Sequence, residues 1–342
     1  MGREQASQFS QGQLDRSAGW RLPVAPASFF AMTLGLAETG NALRFAHDTW
    51  GLPRIWGEIL EMLAVLSFLW WGWLYANKWI KHRSAAQNEW RDPVQASFVA
   101  LVPESLILLA LALLPYQTAA AHTVFWIGSA TNLGYAAYRL AGMWTAPRRS
   151  EQVTPSLFLT YTASVLVNSL VAGLFGYQQY GWMVFGIGTV SWIILDSVLL
   201  QQLITGELDA RTRNFMGIYM APAAIVLVAY QVLSGHSADF LTYALAGYAL
   251  FLTVSLVFSY KWLRQQAFAP GYWAYTFGLA TVAQGFLLMA RQEHSPIFQL
   301  VTGLVLAASL LLTLVVAVGT LYLLGRKAYY PLAPAVPAPS KV

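Results

Sequence analysis

From Ala27 onward the chain reads as long apolar runs separated by short polar breaks. Ten of these runs are long enough to cross the ~30 Å hydrocarbon core of a bilayer as helices. They fall at 27–46, 55–77, 95–114, 119–142, 156–176, 180–203, 214–234, 239–260, 271–292 and 297–324. A membrane barrel would alternate polar and apolar residues along each strand, and that alternation is missing. The pattern therefore predicts an all-α integral membrane protein with one ten-helix transmembrane domain over 23–325. The stretch 1–22 is polar with no apolar core, so it reads as a disordered cytoplasmic tail, neither signal peptide nor span. The stretch 326–342, ending PLAPAVPAPSKV, reads as a Pro-rich cytoplasmic tail.

The runs repeat in pairs. Odd-numbered ones begin near 27, 95, 156, 214 and 271, which makes the chain a series of five helical hairpins. Pro26, Pro93, Pro155 and Pro270 stand at or just before four of those starts, where a missing amide proton costs little. Pro103 and Pro222 lie inside the third and seventh runs. Each predicts a helix kink, and the carbonyls it frees need protein or water nearby. The odd runs also carry most of the small and polar residues: Gly35 and Glu38, Ala100 and Glu104, Thr160 and Ser164, then Ala221. The second, sixth, eighth and tenth runs are mainly Leu, Val, Ile and aromatic residues, which suit lipid. Odd helices are therefore expected inside and even helices outside, in a quasi-fivefold arrangement with the odd helices lining a central pore. A solid five-helix core would need large apolar residues to fill it.

The ninth run opens as PGYWAYTFGLATVAQ, from Pro270 to Gln284. Gly271, Ala274, Gly278, Thr281 and Gly285 recur at steps of three and four, so a helix gathers them on one narrow face. Such a face serves close contact between membrane helices, or it lines a path. Phe277 leans over the edge of that face, and against an aqueous path a single ring is a plug. The residues alone leave both readings open.

Composition agrees with a membrane protein: 57% of residues are hydrophobic, 10% are charged, and the mean hydropathy is +0.50. The absence of cysteine excludes disulfides and thiolate metal sites. The net charge of +5 is read as orientation and does not point to a nucleic-acid partner. Ten spans put all of the 20 Lys and Arg on one side except Arg44, Arg54 and Arg291. By the positive-inside rule both termini are then cytoplasmic, in a multi-pass protein of the cell (inner) membrane. Arg44 is either an attractant for anions near the outer mouth or an interface anchor. His47, His82, His122, His236 and His294 lack the paired spacing of metal ligands. With no nucleophile beside a base and no Gly-rich phosphate loop, no catalytic residue, metal or cofactor is expected.

In chain order, APASFF, LGLAETGNALRFA, FVALVP, SWIILDSVLLQQL, MGIYMAPA and WAYTFGLATVA resemble the tellurite-resistance/dicarboxylate transporter family, which includes the slow anion channels of plant guard cells. The likeness runs from about residue 23 to 325. It implies a homotrimer in the lipid bilayer, each protomer with its own pore inside five inner helices, and Phe277 closing that pore at rest. It implies small inorganic anions, malate or other C4-dicarboxylates, or sulfite as substrates, and tellurite resistance on overexpression. This chain departs from the family pattern at Thr160, where a proline is common, and at Asp196, where a glutamate is. It departs further at Glu38 and Glu104, where relatives carry small or apolar residues.

Each of those two glutamates lies about 15 Å into its helix at 1.5 Å per residue. A carboxyl at that depth suggests a functional site, yet a negative ring repels anions. Burial and mutual repulsion both favour the protonated form of a carboxyl, so a role in pH-dependent or proton-coupled transport stands beside a purely structural one. The expected function is an anion channel; the alternative is a proton-coupled carrier of dicarboxylate or sulfite. An intramembrane enzyme or sensor finds no support in the motifs.

Overall fold

A computed structural model describes residues 22–146, 148–235 and 238–330. The N-terminal tail through Arg21, His236 and the Pro-rich end from Pro331 lie outside the described residues. Among those described, every regular element is helical. In chain order the helices are α1 (Phe30–Trp50), α2 (Ile55–Lys81), α3 (Arg83–Arg91), α4 (Leu101–Leu113), α5 (Thr118–Thr145), α6 (Leu157–Tyr161) and α7 (Ala163–Leu174). They continue as α8 (Gln178–Thr205), α9 (Met216–Tyr219), α10 (Ala221–Ser234), α11 (Phe240–Phe258), α12 (Tyr260–Leu263), α13 (Trp273–Ala290) and α14 (Pro296–Gly325).

Among the described residues, seven helical segments are long and apolar enough to cross a membrane. They divide by burial. Gln95–Leu113, Ala210–Ser234 and Pro270–Ala290 have 78%, 89% and 83% of their apolar windows buried within the protein. Ile55–Lys81, Gln178–Thr205, Phe240–Phe258 and Pro296–Gly325 have only 28%, 28%, 22% and 33%. Helices α1 and α5 have the length but are more polar, and α7 is a shorter apolar helix. Pairwise contacts organise the set. Helix α1 packs on α4, α4 on α7, α7 on α10, α10 on α13, and α13 returns to α1. Each of these also packs on the long helix that follows it in the chain.

The buried segments do not start as regular α-helices. A 3-10 turn at Ala27–Phe29 precedes α1, one at Gln95–Ala100 precedes α4, one at Ala210–Phe215 precedes α9, and one at Pro270–Tyr272 precedes α13. Pro103 and Pro222 consequently fall in the first turn of α4 and α10, where the absent amide proton leaves no broken bond. At Pro222 the interruption lies at Met220, between α9 and α10. The α6–α7 segment breaks at Thr162 without a proline. There the Ser164 hydroxyl donates to the Leu159 carbonyl at 2.8 Å, and Thr160 to the Leu157 carbonyl at 2.6 Å. Carbonyls left over at a break inside a bilayer need such donors.

Two features of one end of the bundle escaped the hydropathy pattern. The polar stretch after α2 forms the short amphipathic helix α3, whose Glu89 is held in a buried ion pair with Lys78 at 2.8 Å. The other Glu89 oxygen accepts the Ala27 amide at 2.8 Å, which ties α3 to the first turn of the buried segment α1. The described start of the C-terminal tail is docked: Tyr329 is 2% exposed and packs on Phe29 and Trp71.

Candidate functional site

A narrow cavity of about 40 Å³ lies where the five buried segments meet. That is room for very few waters, since one needs ~10–15 Å³ on this measure. The 3-10 starts contribute Ser28, Phe98, Phe215 and Gly271. Deeper in the wall stand Leu34, Leu159, Ala221, Ala274, Glu104 and Phe277. Apart from Ser28 and the Glu104 carboxyl, the side chains are apolar. Phe277 is 7% exposed, with its ring in the wall.

Of the residues expected to line a path, Glu104, Ala221, Ala274 and Phe277 meet at this cavity. Gly35 and Gly278 instead serve helix contacts. A Cβ on Gly35 would strike Thr276 and come within 2.9 Å of the Trp273 ring, and one on Gly278 would lie 2.9 Å from Met220. Ala100 is buried among the helices, while Thr160 and Ser164 are spent on the carbonyls beside the α6–α7 break. Sequence reasoning passed over Phe98, Phe215 and Trp273, all in the cavity wall. The Phe98 and Phe215 rings stand 5.1 Å apart. Their sequence signal was an aromatic in the first turns of an odd run, easily read as interfacial.

The two deep carboxyls differ. Glu38, 1% exposed, sits between α1 and α13: Thr281 Oγ1 is 3.0 Å from its Oε1, and the Asn41 amide is 3.5 Å from its Oε2. The Gln284 amide donates to the Glu38 main-chain carbonyl at 3.3 Å. Thr281 Oγ1 is also 2.9 Å from the Phe277 carbonyl oxygen. A hydroxyl has one proton, so Thr281 can donate to that carbonyl and accept from a protonated Glu38, or donate to an ionised Glu38. The Glu38 carboxyl is thus one hydroxyl away from the backbone of Phe277. Glu104, also 1% exposed, borders the cavity, and its Oε2 has no hydrogen-bond partner among the described residues.

Arg44, read as either an anion attractant or an interface anchor, is not a free cation. It is paired with Glu61 through two contacts of 2.9 and 3.1 Å, a partner on the next helix that the local sequence does not reveal. Asp196 accepts from the Tyr248 hydroxyl at 3.3 Å, while its Oδ1 is unpartnered among the described residues.

A multi-pass helical protein whose most buried segments surround a small cavity with an aromatic ring in its wall belongs structurally with membrane channels and transporters. Residues 25–321 match the voltage-dependent anion channel family, and the chain belongs to that family. It is 29% identical to a tellurite resistance protein TehA homolog of Haemophilus influenzae over 75% of this chain and 79% of that protein. It is 23% identical to the S-type anion channel SLAH2 of Arabidopsis thaliana over 86% of this chain but only 58% of that longer protein. The family is one of anion channels and transporters, not of enzymes.

Proposed function

We propose that the protein is an anion channel of the inner membrane, with a pore through five inner helices occluded by Phe277. In this reading ten spans form five hairpins in quasi-fivefold order: the three more polar or broken segments, α1, α5 and α6–α7, cross the membrane with the seven apolar ones. Residues 23–325 are the membrane domain, the two tails are cytoplasmic, and the channel is a homotrimer with one pore per protomer. Small inorganic anions are the substrates. The observation that carries the reading is the cavity itself, bounded by all five buried segments with the Phe277 ring in its wall, in a chain of the anion channel family. A cavity this small and apolar is closed to a hydrated ion, as expected of a hydrophobic constriction at rest.

Replacing Phe277 by Ala is expected to raise chloride and nitrate conductance in planar bilayers. Conductance at or below that of the parent, with equal protein incorporated, counts against the plug.

One observation favours a second reading, a proton-coupled carrier of malate, other C4-dicarboxylates or sulfite. Glu104 brings a carboxyl with an unpartnered oxygen to the cavity wall, and Glu38 reaches the Phe277 carbonyl through Thr281. An ionised carboxylate there opposes anion passage and a neutral one does not. Flux is therefore expected to increase as pH falls, and Glu104→Gln and Glu38→Gln are expected to flatten that dependence. Proteoliposome flux measured against pH decides the matter, and profiles in both variants identical to the parent reject it. Ohmic current exceeding carrier turnover favours the channel; saturable, proton-coupled uptake favours the carrier.

A further inference from the structure

On the side of α4 that faces away from the cavity lies a groove unrelated to the pathway. Phe98, Leu101 and Glu104 point to the cavity, while Val99, Val102 and Pro103 of the same segment form the groove's inner wall. Its outer walls come from the ends of α2 and α5, and α3 closes it. It consists of two adjoining spaces of about 480 and 330 Å³ that share Trp79, Trp90 and Tyr138. Both are within the ~300–1,000 Å³ of ordinary ligand sites.

The groove has two chemically distinct parts. Its trough is apolar, and Gly134 on α5 leaves its floor open: a Cβ there would meet nothing within 4 Å. Its rim is aromatic and basic. Trp90 packs edge-on against Trp79 and Tyr135 at 6.1 and 5.3 Å, and its indole donates to the Tyr138 hydroxyl at 3.2 Å. Indole and phenol rings settle at the membrane–water boundary, which fixes the level of the rim.

One guanidinium lines this rim and two more bond to the main chain beside it. Arg91 borders the second space and makes no ion pair among the described residues. Arg139 reaches the Trp90 carbonyl at 3.5 Å, one residue from Arg91, and its buried Nε has no partner among the described residues. Arg148 donates to the Pro93 carbonyl at 2.7 Å. Burial and then the neighbouring Arg139 guanidinium hold Arg148 below the usual arginine value, so two like charges are kept close together. Nearby acids offset them only in part: Glu89 is taken by Lys78, and Asp92, whose Oδ1 accepts from the amides of Val94 and Gln95, is one carboxylate near Arg148 against three guanidiniums.

We propose that this groove binds an anionic phospholipid, with one acyl chain in the trough beside Gly134 and the headgroup phosphate among Arg91, Arg139 and Arg148. Basic pockets between helices at a membrane surface favour such headgroups. The indole and phenol rings of the rim flank the glycerol region. A chain in the trough bears on Val99, Val102 and Pro103, the back of the segment that carries Glu104 to the cavity. That influence on transport rests on the channel reading above, but the binding itself does not.

The test is lipid binding to the purified full-length protein in detergent, read by native mass spectrometry, with phosphatidylglycerol against phosphatidylcholine as probes. Phosphatidylglycerol is expected to be retained in preference. Arg91→Gln is expected to cut its affinity about fivefold, from ~1 kcal/mol for one arginine near an anionic headgroup, while leaving phosphatidylcholine unchanged. Gly134→Leu is expected to reduce binding of both lipids by filling the trough, without harming a helix that has open space at that position. Equal retention of the two lipids, or unchanged binding in Gly134→Leu, overturns the proposal. Displacement of phosphatidylglycerol by millimolar inorganic phosphate also overturns it, because it identifies a soluble-anion site. None of these readouts depends on transport, so failure of the lipid site and failure of the channel reading are told apart.

Discussion

Helix α13 starts in a 3-10 turn, is buried along nearly its whole length, and holds its polar side chains against named partners: Trp273 to Thr320, Thr281 to Glu38, Gln284 to the Glu38 carbonyl. Helix α14, next in the chain, runs unbroken for 30 residues and turns Leu300, Leu304, Leu311 and Leu314 outward. The first follows a short 3-10 turn as one buried helix whose polar side chains each need a protein partner, because the bilayer core has no water to supply one. The second needs only length and apolar bulk. Substitutions should therefore be costly in the inner layer and tolerated in the outer one, with the largest effects where the layers are joined.

Glu89 is such a joint, since it neutralises Lys78 of an outer helix and holds the Ala27 amide of an inner one. Glu89→Ala leaves the Lys78 ammonium buried without its carboxylate, and is expected to cost about 3–5 kcal/mol, read from unfolding in detergent micelles. A loss below 1 kcal/mol breaks the comparison. A matched pair of glycines sharpens it. Gly35→Leu forces a side chain into Thr276 and Trp273 and is expected to cost about 1–3 kcal/mol by overpacking. The same change at Gly72 on outer helix α2, where a Cβ meets nothing within 4 Å, is expected to stay within about 0.5 kcal/mol. Equal melting temperatures for the two variants erase the distinction.

The smallest effect is expected where an outer helix is merely capped. Asp239 accepts from the Thr242 amide at 2.9 Å at the head of α11 and is bonded by the Tyr230 hydroxyl. The Tyr230 bond first, then the Thr242 amide, holds its carboxyl below the usual 3.8. A depressed folded value means that the stabilisation is full above the unfolded value and is lost as pH falls through the lower, folded one. Asp239→Asn should therefore melt slightly earlier than the parent at neutral pH and together with it in strong acid. A gap that persists in acid assigns the effect to shape and not to charge.

The hydropathy pattern made the helical class and the division between buried and more exposed segments legible, because interior proline and small residues cluster in segments that proved most buried. It also brought forward Phe277, Glu104, Ala221 and Ala274, which share the cavity. It could not separate a glycine that lines a space from one that seats a neighbouring helix, since both requirements write the same small residue. Gly35 and Gly278 belong to the second kind. The break at Thr162 carries no proline or glycine to announce it, and α3 hides in a charged stretch whose one-sided burial depends on α2. The bulky wall of Phe98, Phe215 and Trp273 was obscured by the same ambiguity that makes aromatics near a span end look interfacial.

The bond between Glu38 and Thr281 spans 243 residues of sequence. At a synthesis rate of ~5–20 residues per second, the first hairpin waits roughly 10–50 s for the hydroxyl that completes its carboxyl's surroundings. During that interval the Glu38 carboxyl lacks its Thr281 partner, and α1 lacks the α13 face it packs against. The contact that ties α1 to α13 therefore joins one of the first helices made to one of the last, and Glu38 has only its neighbour Asn41 as a side-chain partner until Thr281 has been synthesised.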